Sequence, residues 1–279
     1  MLAYWVFSST VFGADQPQPD LHAFPDHLAM LEGYMEDDTQ SQIAATPGTV
    51  EAILAVGLWL QHNDRLVAPG GPGPEPDFMV YLHHIELCAL FLPDAAARNA
   101  AAALAGRVLH ADPDEDDRVR ILEDLLENCQ YASLKACAVS WLRDEIVAAR
   151  AGASDPPPEG LFAGAEAVER LQYLLFPDLS SVREASPAAA LDYWAQNAPF
   201  LAQAANFAYF LFCPGGAYGA AVPDGMGPSV ELRYAEPLAQ AAEALLRAVE
   251  AKTLAVDGAD HVALDLAVLV DRLRSLSFS

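Results

Sequence analysis

Basic residues are scarce in this chain. Lys and Arg number 15 among 279 residues, against 39 Asp and Glu, and the formal net charge is -24. Lys135 and Lys252 are the only lysines. Affinity for nucleic acid and for anionic lipid comes mainly from clustered Lys and Arg. This composition therefore argues against either as a direct partner. A basic protein partner stays compatible with it, and so does an acidic surface that only confers solubility.

Cysteine is sparse as well. Cys88, Cys129, Cys137 and Cys213 form no CxxC pair, and a chain this long can build a core without staples. That pattern reads as reduced thiols in an intracellular protein. A redox pair of Cys129 and Cys137 is the alternative, and their spacing leaves open whether they meet. Long apolar runs are also missing. Phe200 to Cys213 is the best candidate, and it falls short of the ~20 residues a bilayer needs. The start, MLAYWVFSSTVFGADQ, is apolar and has a small residue at Ala14. It lacks a basic leader, and Ser8, Ser9 and Thr10 interrupt it. We read it as a first helix whose apolar face needs a partner, with a cleaved signal as the alternative.

Catalytic signatures are absent too. There is no GxSxG and no HExxH. Gly215, Gly216 and Gly219 follow a helical segment and lack nucleotide-loop spacing. Alternation typical of strands is confined to Ser229 to Tyr234, which could form one short strand inside a Gly/Pro-rich connection.

What the chain does contain is apolar periodicity of the helical kind, in a sequence that is 53% hydrophobic and rich in alanine. Helices are predicted from Thr49 (as N-cap) to His62, from Asp77 to Leu92, and from Asp94 to His110. Others run from Asp114 to Asn128, Tyr131 to Arg150, and Ala165 to Phe176. One more starts at Ser186-Pro187, runs toward Cys213 and is expected to break at Pro199. Two amphipathic helices, Glu236 to Leu254 and Asp260 to Leu276, close the chain. Trp59, Trp141 and Trp194 fall on apolar faces and are expected in the core. The fold class is all-α. About ten helices in pairs of similar length suggest one HEAT/armadillo-like α-solenoid domain over 1–279, with a globular helical bundle as runner-up. Flexible loops are expected near 69–76, 152–160 and 214–228.

Two clusters are candidates for chemistry. His83, His84, Glu86 and Cys88 (HHIELC) put His84 and Cys88 on one helical face, but zinc generally takes three or four protein ligands. The acids Asp112, Asp114, Glu115, Asp116 and Asp117 lack the register of a calcium loop. Their plain reading is a solvated loop and helix cap. The functional reading is that Asp114, Glu115, Asp116 and Asp117 contact a basic partner. Glu36, Asp37 and Asp38 admit the same two readings.

The stretch Val119 to Ile146, VRILEDLLENCQYASLKACAVSWLRDEI, resembles a helix pair of the YAP-binding/ALF4/glomulin family. The matching positions are Asn128, Cys129, Tyr131, Lys135, Val139, Trp141, Leu142 and Arg143. Asn206, Phe207 and Phe210 resemble a late helix of the fungal members. The resemblance implies a HEAT-like helical fold with no enzymatic activity and no cofactor. It also implies a cytoplasmic location extending to the nucleus, and a protein partner. That partner would be a stress transcription regulator or a RING/cullin ligase subunit. The function expected on this basis is a non-catalytic adaptor. The alternative is a helical enzyme or metal-binding protein using His83, His84 and Glu86.

Overall fold

The computed structural model describes residues 2–12, 19–35, 38–69, 76–151, 160–213, 216, 218–254 and 256–278. Among them the regular structure is helical, and the strand-like pairing is a single parallel bridge between Phe24 and Val67. The fold is all-α. The chain forms two compact units, Met1–Asp114 and Glu115–Ser279.

The first unit contains α1 (Leu2–Phe12), α2 (Asp26–Tyr34), α3 (Thr39–Ala45), α4 (Pro47–His62), α5 (Phe78–Phe91) and α6 (Ala95–Ala111). Asp77 and Asp94 cap α5 and α6 by accepting from Val80 N and Ala97 N, each at 2.9 Å. The cap assigned to Thr49 is wrong. α4 starts three residues earlier, at Pro47, whose fixed φ suits a first helical turn, and Thr46 stands at the N-cap. Val6 of α1 is fully buried against Val56, Trp59 and Leu60 of α4, so the apolar start of the chain finds its partner inside this unit. α6 packs along α5 and α4, and its buried Ala101 and Ala105 allow close approach.

A histidine sits inside this core. His27 is 1% exposed; its Nδ1 accepts from Tyr81 Oη at 2.9 Å and its Nε2 donates to Ile53 O at 2.8 Å. Both ring nitrogens are thus satisfied in the neutral form. Gly57, one turn after Ile53, leaves the room: a Cβ there would lie 2.7 Å from His27 Cε1, 3.0 Å from Leu104 Cδ2 and 3.1 Å from Tyr81 Oη. Gly57→Ala is therefore expected to destabilise this unit by about 1–3 kcal/mol, read as a lower urea midpoint at unchanged m-value. A neutral or stabilising result would contradict the packing described.

The second unit contains α7 (Glu115–Asn128), α8 (Ala132–Arg150), α9 (Glu166–Leu175), α10 (Ser180–Arg183) and α11 (Pro187–Phe212). A 3₁₀ turn at Gly219–Ala221 is followed by α12 (Met226–Val230), a π-helical turn (Glu231–Ala235), α13 (Glu236–Glu250) and α14 (Ala259–Arg274). α8 lies along α11, and α13 pairs with α14. Trp141 and Trp194 are buried here, as Trp59 is in the first unit.

Two expectations fail in this unit. α11 does not break at Pro199 but runs through it. Its faces on both sides of the proline are buried, including Trp194, Phe200, Leu201 and Phe207, and packing outweighs one lost backbone bond. Ser229 to Tyr234 is not a strand. Val230 and Tyr234 are fully buried while Leu232 is 77% exposed. A strand would point all three the same way, whereas four-residue spacing puts the two buried side chains on one helical face. The segment is fastened by Leu179 N donating to Arg233 O (2.8 Å) and by the Arg233 guanidinium stacked on Tyr173 (4.1 Å).

Most of the loops expected at 69–76 and 152–160 lie outside the described residues, as do 214, 215 and 217 of the third. From 218 onward that third segment is a short turn and a helix. No single helix among the described residues is long and apolar enough to cross a membrane. The bent pair α3 and α4 meets the composition test, but Ile43, Val50, Ile53, Leu54 and Leu60 of that pair are buried in the first unit.

Candidate functional site

The residues that carried the family resemblance divide by position. Val139 and Leu142 are fully buried, Trp141 is nearly so, and all three lie on the inward face of α8. Phe207 is buried in α11, stacks on Phe210 and faces Phe176; Phe210 in turn touches the Tyr218 ring at 4.2 Å between centroids. These side chains build the scaffold. Asn128, Tyr131 and Asn206 are exposed. Asn128 donates to Asp124 (2.8 Å), which closes the last turn of α7. Cys129 Sγ accepts from Tyr131 N (3.4 Å) in the turn before α8, so this thiol acts as a turn support. Lys135 is half-buried, and Arg143 pairs with its neighbour Asp144 at 2.7 Å.

The acids at the start of α7 have partners within the chain. Glu115 Oε2 accepts from Leu161 N (2.5 Å), Asp116 pairs with Arg170 (2.9 Å), and Asp117 pairs with Arg120. Asp114 is exposed, and its N–H donates to Asp112 Oδ1 (3.0 Å). Of the group at 36–38, Glu36 and Asp37 lie outside the described residues, and Asp38 caps α3 by accepting from Ser41 N.

Sequence reasoning missed a buried ionic node. Arg118 and Glu145 are both buried, with Arg118 Nε 3.2 Å from Glu145 Oε2. The guanidinium also meets Glu115 at 3.4 Å and lies over the Phe162 ring at 5.2 Å. The node joins α7, α8 and the segment before α9. A signal for it existed: Glu145 falls between Leu142 and Ile146 on the apolar stripe of α8, where a lone carboxylate demands a cation.

The HHIELC segment spreads its side chains around α5. His83 is exposed, His84 half-buried, and Glu86 and Cys88 are buried. Burial holds the His84 pKa below its ordinary value, assisted by His83 and opposed by Glu32. Burial pushes the Cys88 thiol up to about 12, so it stays protonated and a poor ligand at neutral pH. Among the described residues no three His, Cys, Asp or Glu side chains gather as metal ligands. A cleft of about 840 Å³ lies at the end of α11, lined in part by Phe212, Cys213, Asp224 and Phe278. Its lining residues flank Pro214, Gly215 and Ala217, which lie outside the described residues.

These observations define a helical scaffold whose signature residues serve packing and turns. The family described as "Uncharacterised protein family, YAP/Alf4/glomulin" matches residues 1–270, and the chain belongs to that family. No curated protein and no solved structure matches the chain.

Proposed function

We propose that this chain is a non-catalytic adaptor or regulator that binds another protein. The partners that fit the family are a stress transcription regulator of the bZIP type or a RING/cullin ligase subunit, met in the cytoplasm and the nucleus. The observation that carries the reading is where the family's signature residues lie. Val139, Trp141, Leu142 and Phe207 are spent on packing α8 and α11, as expected of a scaffold that presents a surface. The helical hairpins α5–α6 and α13–α14 support a degenerate HEAT-like arrangement within the fold.

The test is reconstitution from purified parts. The full chain is titrated against a bZIP stress regulator and against a cullin–RING subunit, and ubiquitin-chain formation is followed in its presence. Binding of either protein at micromolar affinity or tighter supports the reading. Binding of neither, together with turnover by the purified chain, rejects it.

A further inference from the structure

The last helix carries an apolar face that nothing described covers. α14 buries Leu266, Leu269 and Leu273 and packs on α13 and α11. Each residue turns the helix by ~100°, so Leu264 and Val268 stand together on the opposite side. They are 62% and 54% exposed. Asp260 and Asp271 close the two ends of this face, Asp265 flanks it, and all three are exposed. Of the basic residues of the helix, His261 is exposed three residues before Leu264, and the two arginines are engaged elsewhere. The Arg272 guanidinium lies over the Tyr209 ring at 4.6 Å, and Arg274 pairs with Glu243 (2.9 Å) and Glu236. Among the described residues no ion pair involves Asp260, Asp265 or Asp271. The outward face is thus an aliphatic pair inside a frame of unpaired carboxylates.

We propose that this face docks a cationic amphipathic helix of a partner protein. Two aliphatic side chains of that helix, four residues apart, cover Leu264 and Val268, and Lys or Arg on either side of them reach Asp260, Asp265 and Asp271. Charge decides between the occupants. A second copy would bring the same aspartates face to face across a two-fold contact, which like-charge repulsion opposes. An anionic lipid surface is repelled for the same reason. A cationic helix gains at both the centre and the rim. With only two anchors the contact is small and readily reversible. The inference names the partner's chemistry for the adaptor reading and rests on it.

The test uses the full chain and a synthetic amphipathic helix of Leu and Lys, with a Leu/Glu helix of the same apolar pattern as control. Binding is followed by fluorescence anisotropy at ~0.15 M salt, where long-range surface charge is screened. Leu264→Ser/Val268→Ser is expected to weaken Leu/Lys binding by ~10-fold or more, because both anchors are lost. Asp260→Asn/Asp265→Asn/Asp271→Asn is expected to weaken it and flatten its salt dependence. Exposed sites tolerate such changes, and an unaltered far-UV circular dichroism spectrum confirms the fold. The proposal is overturned by no binding of the Leu/Lys helix, by equal binding of the Leu/Glu helix, or by equal affinity of the parent and the serine variant. It is also overturned if the parent dimerises and the serine variant does not, which would make a second copy the occupant. The two readings fail separately. A chain that binds its regulator with α14 altered keeps the adaptor reading and loses this one. A chain that binds the Leu/Lys helix through α14 but neither regulator does the reverse.

Discussion

Glu145→Ala is expected to destabilise the second unit by about 3–5 kcal/mol, the effect of removing one partner from a buried ion pair. Arg118 would keep its charge in a site where its side chain is 11% exposed, with Phe162 on one side of the guanidinium. Glu115 compensates only in part. It lies 3.4 Å from Arg118, and its other oxygen is already held by Leu161 N. Urea unfolding by far-UV circular dichroism measures the loss as a lower midpoint. The double variant Arg118→Met/Glu145→Leu removes both charges and fills the space, and it should recover most of the lost stability. A single variant within ~0.5 kcal/mol of the parent would show that the pair is not buried as described.

Acid is expected to destabilise the first unit through His27. Burial lowers this histidine from 6.5 to about 4, and the hydrogen bond to Ile53 O only partly opposes it. The folded pKa is depressed, so the neutral side chain's contribution is fully present above pH 6.5 and is lost as the pH falls toward about 4. The gap corresponds to roughly 3 kcal/mol between pH 7 and pH 4. The mechanism is local: a protonated ring would have a second N–H aimed at Tyr81 Oη, whose own proton it now accepts. His84 contributes with the same sign, since its pKa is also lowered. His27→Gln isolates the first term. Its urea midpoint should vary less between pH 6.5 and 4.5 than the parent's, and parallel curves for the two proteins would exclude His27 as the sensor.

Much of the fold was legible in the residues. Asp77, Asp94 and Ser186 stand where helices were expected to start, and each caps its helix, because a short polar side chain before an apolar-periodic run satisfies the first free N–H groups locally. Leu134, Ala138, Trp141, Leu142 and Ile146 are buried as their spacing demands. α2 and α3 were not legible: each is short, at nine and seven residues, and each is held by contacts with α4 and α5. Pro199 and Ser229 to Tyr234 misled for a related reason. Both offer strong local signals, a breaker and an alternation, that burial of distant partners overrides.

The helical period of the apolar residues and the motifs at Val119 to Ile146 determined the all-α class and the family, since these depend on short-range spacing. The tertiary structure alone decided how the charges are used. It joined Arg118 to Glu145 across two helices, enclosed His27 between Tyr81 and Ile53, and tied Glu115, Asp116 and Asp117 to the chain itself. It left Leu264 and Val268 in the open among unpaired aspartates. A charge shows its sign in the sequence, but whether it is neutralised depends on which distant side chain folding brings within a few ångströms.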